Sequence, residues 1–83
     1  MTTPNELSDA ALAVFAFAIY HQLDSGEPVT KVVADDGQGH QANQAGVEEL
    51  QKRELASLED GFISFTPAGM QMIEQLIGRL RAA

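Results

Sequence analysis

Residues 50 to 69 read Leu-Gln-Lys-Arg-Glu-Leu-Ala-Ser-Leu-Glu-Asp-Gly-Phe-Ile-Ser-Phe-Thr-Pro-Ala-Gly, and this stretch decides the fold that we expect. Two short β-prone runs, residues 55 to 58 and 62 to 65, flank Glu59-Asp60-Gly61, whose residue types favour a tight turn. Thr66 can then cap a helix that has Pro67 at its first position. The stretch predicts the end of one helix, a β-hairpin and the start of another helix.

Three helices are predicted around this hairpin. The first is capped by Ser8 and runs to about Asp24, where a Ser-Gly pair ends it. The second covers about residues 43 to 53, in which apolar and polar positions recur at helical spacing. The last begins at Pro67, and its apolar residues have the same spacing: Met70, Ile73, Ile77 and Leu80.

Residues 29 to 36 permit two interpretations. Thr30 could cap a short helix that continues to about Asp36, or the β-branched residues of this segment could form a strand that turns at Asp35-Asp36-Gly37. A short helix, a glycine-containing turn and a second helix follow one another in a helix-turn-helix, so the spacing to the next segment favours the helix. We therefore expect a helix here, with the strand as the alternative.

The length and composition are those of one small globular domain. Of the 83 residues, 45% are hydrophobic and 20% are charged, and we expect residues 1 to 6 to be a flexible N-terminus and residues 7 to 83 a single domain. A domain of this size has a small core, so a large enclosed active site is not expected. The sequence has no cysteine, which fits a reducing cytoplasm, and its apolar run over residues 10 to 20 is shorter than the about 20 residues that cross a bilayer. We expect a cytoplasmic protein without membrane contact.

No residue pattern in this sequence indicates catalysis or metal binding. The two histidines are His21 and His40, and a solvated histidine near a helix end accounts for His21 better than a general base tuned by Asp24. Asp35, Asp36 and His40 match neither a calcium loop nor a zinc signature, whereas turn chemistry accounts for Asp-Asp-Gly. We therefore expect no catalytic residue, no metal and no cofactor, and a protein that is not an enzyme.

Three features, Leu50-x4-Leu55, Glu59-Asp60-Gly61 and Phe65-Thr66-Pro67-Ala68-Gly69, together make the chain resemble a winged helix-turn-helix domain. In general pattern it is similar to the MarR-type bacterial repressors. The resemblance implies a mostly helical α+β fold with a small β-hairpin wing. It also implies a role in transcription regulation, in which residues 43 to 53 read the major groove of DNA, the wing touches the flanking backbone and terminal helices build a dimer. Glu54 departs from the family pattern, because a glycine commonly precedes the first apolar residue of the wing.

The charge around the predicted second helix opposes DNA binding. The chain has 5 Lys and Arg against 12 Asp and Glu, a net charge of −7, and residues 29 to 60 contain 3 of these cations against 7 carboxylates. Proteins gain DNA affinity largely by neutralising phosphates with Lys and Arg. We therefore expect a regulator whose acidic surface contacts another protein with a basic surface, including the case in which its carboxylates mimic phosphates. The residues expected at this contact are Glu48, Glu49, Gln51, Lys52, Glu59 and Asp60.

A dimeric DNA-binding regulator is the alternative. In that interpretation the second helix meets a DNA groove, since Asn and Gln side chains can read adenine edges. The residues concerned are Asn43, Gln44, Lys52 and Arg53. The simpler explanation of these residues is that they are solvated polar positions on an amphipathic helix.

The first helix is apolar on two faces, which indicates that it is covered on two sides. One face is formed by Leu12, Phe15, Ile19 and Leu23, and the other by Val14, Phe17 and Ala18. The second cover is either the final helix or another copy of the protein. A homodimer through the first and last helices is thus the alternative to burial within one chain.

Overall fold

The computed structural model describes residues 4 to 34, residue 42 and residues 44 to 82. Within these residues it shows an α+β fold of three α-helices and a three-stranded antiparallel sheet, preceded by a 3-10 turn at Pro4–Glu6. The helices and strands in chain order are α1 (Asp9–Ser25), β1 (Lys31–Val33), α2 (Gln44–Lys52), β2 (Ala56–Glu59), β3 (Phe62–Phe65) and α3 (Pro67–Ala82). The mostly helical α+β class predicted from the sequence is confirmed.

The ends of α1 are where the sequence predicts them. The backbone N–H of Ala11 donates to the Ser8 hydroxyl at 3.2 Å, which caps the start of the helix. Gly26 closes the helix in the left-handed region, with a φ of 78°, and its N–H donates to the carbonyl of Gln22 at 2.9 Å. At both ends, residues close in sequence satisfy backbone groups that the helix leaves without a hydrogen bond. The sequence alone therefore predicts both ends.

The predicted hairpin is also confirmed. Asp60 and Gly61 have φ values of 50° and 80° and form a two-residue turn between β2 and β3, with Glu59 paired to Phe62. Two successive positive φ angles are typical of a type I′ turn, whose twist matches that of the flanking strands. Asp-Gly is a preferred sequence for this turn because glycine takes positive φ without a steric cost.

The helix predicted between Thr30 and Asp36 is wrong. Lys31–Val33 form β1, an edge strand that pairs antiparallel with β3, from Lys31 opposite Ser64 to Val33 opposite Phe62. The strand forms because β3 offers this β-branched segment backbone partners and a buried position for Val32, which is 6% exposed. The turn predicted at residues 35 to 37 lies outside the described residues.

The core lies between the inner face of the sheet and the three helices. The Phe15 ring of α1 stacks on the Phe65 ring of β3, with centroids 5.6 Å apart. Along β3, Ile63 and Phe65 are buried whereas Phe62 is exposed, which is the alternation of a strand with one solvated face. The largest side chains that are fully buried are Phe15, Leu50, Ile63 and Ile73, so every layer of the fold contributes to one core.

Glu54, which stands where the family pattern has a glycine, adopts an unfavourable backbone conformation. Glu54 follows α2 with a φ of 60°, in the left-handed region. The N–H of Leu55 donates to the carbonyl of Leu50 at 2.9 Å and the N–H of Glu54 to that of Gln51 at 3.1 Å, which is the Schellman pattern of a helix C-terminus. Glycine is usual at this position because a Cβ in the left-handed region costs roughly 1–2 kcal/mol.

Replacing Glu54 with glycine should therefore stabilise the domain. We expect a gain of about 0.5–1 kcal/mol, which is smaller than the steric cost because glycine also gives the unfolded chain more freedom. Thermal unfolding followed by circular dichroism should show a rise in Tm of about 2–8 °C. Glu54→Ala is the control, since alanine keeps the Cβ and should leave Tm close to that of the unsubstituted protein. An equal gain in both variants would show that the charge of Glu54, and not its backbone, is responsible.

Candidate functional site

Gly46 brings α2 into contact with the start of α1. A Cβ built on Gly46 would overlap the carbonyl oxygen of Ala10 and lie 2.6 Å from its carbonyl carbon. A glycine inside a helix weakens it by up to about 1 kcal/mol relative to alanine, so this glycine is explained by packing and not by helix propensity. The close crossing determines which side of α2 faces α1 and which side faces solvent.

The solvent-facing side of α2 follows from helical geometry. Successive residues of an α-helix are about 100° apart, and the buried residues Gly46, Val47 and Leu50 lie on one side of α2. The opposite arc, about 120° wide by the same geometry, carries the exposed residues Gln44, Ala45, Glu48, Gln51 and Lys52. Three of the residues predicted to contact a partner thus share one exposed surface, and Gln44 of the DNA-binding alternative lies on the same surface.

Glu49, which was also predicted to contact a partner, lies outside this surface. Its carboxylate accepts two hydrogen bonds from Ser8, one from the backbone N–H at 3.0 Å and one from the hydroxyl at 2.5 Å. In a capping box, a Glu three positions after the cap residue bonds to the N–H of that residue, but this position in α1 is Ala11. Glu49 supplies the missing carboxylate from another helix, so its carboxylate is engaged within the chain at the start of α1.

Arg53 is also used within the chain. Its guanidinium lies 3.6 Å from the Glu49 carboxylate and 3.6 Å from the Glu6 carboxylate, and it donates to the Glu6 carbonyl at 2.9 Å. We call Glu6, Ser8, Glu49 and Arg53 the polar clamp. The clamp holds the 3-10 turn, which we expected to belong to a flexible N-terminus, against α2. Of the DNA-binding alternative, Gln44 and Lys52 lie on the exposed side of α2, Arg53 is exposed but engaged in the clamp, and Asn43 lies outside the described residues.

The sequence contains a weak signal for this clamp that our prediction did not use. Ser8 caps a helix whose third residue is Ala11, so the carboxylate of a capping box is absent from its usual place. Glu49 and Arg53 are four residues apart, the spacing at which opposite charges meet on a helix. Neither signal predicts which carboxylate reaches Ser8, because that depends on the crossing of α1 and α2.

Hydrogen bonding in the clamp lowers the pKa of Glu49. The largest cause is the hydrogen bond from the Ser8 hydroxyl, followed by that from the Ser8 backbone N–H. Partial burial raises the pKa and so opposes them, whereas the nearby Arg53 charge lowers it further. A carboxyl whose pKa is lower in the folded state stabilises that state when ionised. This contribution is complete above the unfolded value of about 4.5 and is lost as the pH falls through the lower folded value.

We expect Glu49→Gln to remove this pH-dependent contribution. Glutamine has the same shape but no charge, so the difference in free energy of unfolding between the two proteins should be largest near neutral pH and should shrink below pH 4.5. Denaturant unfolding between pH 7 and pH 3 measures this difference. Glu48→Gln, which removes an exposed carboxylate one residue away, is the control and should give a profile parallel to that of the unsubstituted protein. A Glu49→Gln difference that is constant over the whole range would contradict a role for the ionised carboxylate.

The two remaining predicted contact residues, Glu59 and Asp60, are exposed at the tip of the hairpin. β2 connects this tip to the segment that follows α2, and it is four residues long. At about 3.3 Å per residue, the tip is about 13 Å from the base of the hairpin. The predicted contact residues therefore form two exposed patches, one on α2 and one at the tip, which together carry three carboxylates and Lys52.

The cations near these patches are mostly engaged elsewhere. Lys31 places its Nζ 4.7 Å from the centroid of the Phe62 ring, on the outer face of the sheet. Arg53 belongs to the polar clamp. Lys52 is exposed, but it lies one helical turn after Glu48 on the same side of α2. The exposed side of α2 thus carries one positive and one negative charge and offers no positive stripe.

The other chemical groups considered in the sequence form no site in the part of the chain that the structure describes. His21 is exposed, and its ring meets the Phe17 ring edge-on with centroids 4.4 Å apart. No group of three or more His, Asp or Glu side chains among the described residues could hold a metal ion. None of the described helices combines the length and the apolar character that a bilayer crossing requires. Asp35, Asp36 and His40 lie outside the described residues.

An apolar groove between α1 and α3 is a second exposed feature. It has a volume of about 450 Å³ and is lined by Leu12, Ala16, Ile19, Tyr20, Leu76, Arg79 and Leu80. Tyr20 is 63% exposed and Leu80 60%, and Leu23, one turn further along α1, is 49% exposed. Helical spacing grouped Leu23 and Leu80 with the core, whereas the structure leaves both in contact with solvent. Therefore α3 covers only part of the apolar face of α1 that carries Leu12, Ile19 and Leu23.

Comparison with known protein families, with curated proteins and with solved structures gives no match to this chain. Four features of the described residues bear on function: the exposed side of α2, the hairpin tip, the polar clamp and the α1–α3 groove.

Proposed function

We propose that this chain is a small, non-enzymatic winged-helix regulator that acts by contacting another protein. The order α1, β1, α2, hairpin, α3 supports the winged-helix assignment, because the hairpin follows the second helix as a wing does. Thr66 and Pro67, which carry part of the resemblance, stand at the start of α3. The contact would use the two exposed patches, which we call the acidic surface: Glu48, Gln51 and Lys52 of α2 with Glu59 and Asp60 of the hairpin tip.

The engagement of Arg53 in the polar clamp is the observation that carries this proposal. A protein that binds duplex DNA neutralises phosphates, and each neutralised phosphate contributes about 0.9 to the slope of log K against log salt concentration. With Arg53 bonded to Glu6 and Glu49, the exposed side of α2 has one cation, Lys52, to offer to DNA. A polyanion such as DNA would gain little binding free energy from this surface.

The hairpin tip favours the same partner class. A wing that approached a DNA backbone would bring Glu59 and Asp60 towards phosphates, and like charges at close range cost several kcal/mol. A protein with Lys or Arg at matching positions would instead be attracted to the tip and to Glu48. Such complementary charges mainly raise the rate of association and suppress wrong partners. We therefore infer a partner with a basic surface that reaches both patches.

Charge reversal with a matched control tests this proposal. The amount of protein that the immobilised chain captures from cell extract should fall at least tenfold when Glu48→Lys and Glu59→Lys are combined. Glu27→Lys combined with Glu74→Lys changes the net charge equally at exposed positions outside the acidic surface, and it should leave capture unchanged. Circular dichroism confirms that both variants are folded. Equal loss in the two double variants would remove the assignment of the acidic surface.

The DNA-binding alternative rests on Gln44 and Lys52, which share the exposed side of α2. Titration of generic duplex DNA at about 0.02 M and 0.15 M salt separates the two functions. The proposal predicts no measurable complex at 0.15 M salt. A salt-sensitive complex that Lys52→Ala abolishes would instead establish the dimeric DNA-binding regulator.

A further inference from the structure

We propose that the α1–α3 groove binds an amphipathic helix of another protein, one that carries a carboxylate beside its apolar stripe. Six of the seven residues that line the groove are apolar or aromatic, and the seventh is Arg79. The two walls carry large side chains that solvent reaches: Tyr20 on α1 is 63% exposed and Leu80 on α3 is 60% exposed. Large apolar side chains that lie exposed together around a groove are typical of a surface that another molecule covers.

The open shape of the groove favours a helix over a small molecule. Its volume of about 450 Å³ is within the range of small-molecule sites. Such sites, however, bury roughly 70–90% of the surface of their ligand, whereas Tyr20 and Leu80 on the walls of this groove are more than half exposed. A small apolar molecule would remain largely in contact with water. A helix would cover both walls and present a polar face of its own to solvent.

The groove also has the direction and the length of a helix. The Gln22 side chain donates to the Glu74 carboxylate at 3.0 Å, so these two residues are at about the same level on α1 and α3. Residues 76 to 80 lie beside residues 12 to 20 across the groove, so the two helices run antiparallel. The apolar side of α1 extends over residues 12 to 23, which is about 16 Å or about three helical turns. A third helix that lies between two antiparallel helices over this length would present apolar side chains at positions i, i+3 or i+4, and i+7.

The charge of the groove further defines the partner. Among the described residues, Arg79 is the one charged residue of the lining, and no ion pair within the chain engages it. The groove therefore differs from the chain as a whole, in which 12 carboxylates face 5 cations. A partner helix with a carboxylate next to Arg79 would bring a complementary charge, whereas one with a lysine there would bring a like charge.

The register places this carboxylate near the middle of the partner helix. Arg79 is five residues after Glu74, about 7.5 Å further along α3, and is therefore level with about residue 17 of α1. That level is midway along the apolar side of α1. Ala16, at nearly the same level, is exposed and has no side chain beyond its Cβ, so a large apolar side chain of the partner can approach α1 there. The partner is thus a helix of about three turns with an Asp or Glu that flanks the middle of its apolar stripe.

Selection from a displayed library of helical peptides by the immobilised full chain tests the inference. The peptides are alanine-based and about 18 residues long, with leucines along one stripe and random residues at the positions that flank it. Peptides selected by the unsubstituted protein should be enriched in Asp or Glu at the middle flanking positions, and Arg79→Glu should instead select Lys or Arg there. Arg81→Glu is the matched control. It makes the same change of charge at a residue that lines a different cleft of α3, so it should leave the selected charge unchanged.

Fluorescence anisotropy then measures the affinity of a selected acidic peptide. We expect a dissociation constant on the order of 10–100 μM, as for a small and transient contact. Arg79→Glu should weaken binding about fivefold, in keeping with an exposed ion pair, and exchange of the peptide carboxylate for lysine should restore it. Leu80→Asp should abolish measurable binding, whereas Leu58→Asp, at a residue of β2 that is 48% exposed away from the groove, should not. Circular dichroism shows that each variant is folded.

Several outcomes would overturn the inference. One is that no peptide is selected, and another is that the unsubstituted protein and Arg79→Glu select the same charges. A second copy in the groove would appear in sedimentation velocity as a concentration-dependent dimer that Leu80→Asp dissociates. A small amphiphile as the occupant would appear in calorimetry as tighter binding of decanoate than of the selected peptide.

The inference does not depend on the proposed function. The groove and the acidic surface have no residue in common. Arg79→Glu should therefore leave capture through the acidic surface unchanged, and Glu48→Lys combined with Glu59→Lys should leave peptide selection unchanged. Loss of one binding activity while the other is intact identifies which of the two proposals has failed.

Discussion

The contact between α2 and the start of α1 determines what the rest of the surface can do. Gly46 lies against the carbonyl group of Ala10 with no space for a side chain. One turn later the Glu49 carboxylate bonds to Ser8 and caps α1. A backbone contact and a charge-assisted hydrogen bond thus fix the rotation of α2 about its own axis. This rotation places Glu48, Gln51 and Lys52 in solvent and turns Glu49 and Arg53 towards the N-terminal end of α1.

The fold engages several of the few positive charges of the chain. Five cations face twelve carboxylates, so each cation that is used within the fold is a substantial part of the total. Arg53 holds the N-terminal turn, and Lys31 lies over an aromatic ring on the outer face of the sheet. Arg79 and Arg81 lie in the last turn of α3, where the helix dipole favours cations. Together, the exposed side of α2 and the hairpin tip are left with an excess of carboxylates, which is the physical basis for proposing a partner with a basic surface.

Local devices could be predicted from the sequence, whereas features that depend on distant contacts could not. The cap at Ser8, the Asp60-Gly61 turn and the cap at Thr66 each involve groups within a few residues, and all three are present. The strand at residues 31 to 33 was missed because it requires pairing with β3, about thirty residues away. Propensity alone indicated a strand, and the assumed helix-turn-helix order outweighed it.

In the candidate site, too, positions set by the local pattern could be predicted, whereas roles set by distant contacts could not. The exposed positions of α2 follow from periodicity, so Glu48, Gln51 and Lys52 could be selected from the sequence. The contact of Glu49 with Ser8 could not be predicted, because a partly buried carboxylate on an amphipathic helix caps another helix only when that helix is placed against it. The exposure of Tyr20 was missed for a similar reason, since the apolar pattern of α1 does not show how far α3 extends over it.

Thr66 joins the hairpin base to α3 in a way that affects the order of folding. Its N–H donates to the carbonyl of Leu55 at 3.0 Å and its hydroxyl to that of Glu54 at 2.8 Å, which closes loops of about a dozen residues. Closing the 41-residue loop between Ser8 and Glu49 costs about 1 kcal/mol more in chain entropy, so the C-terminal half can assemble first. During synthesis, however, α1 leaves the ribosome before that half exists. Its two apolar faces then lack the cover that α2, the sheet and α3 give them in the folded domain, and such exposed apolar surface promotes aggregation.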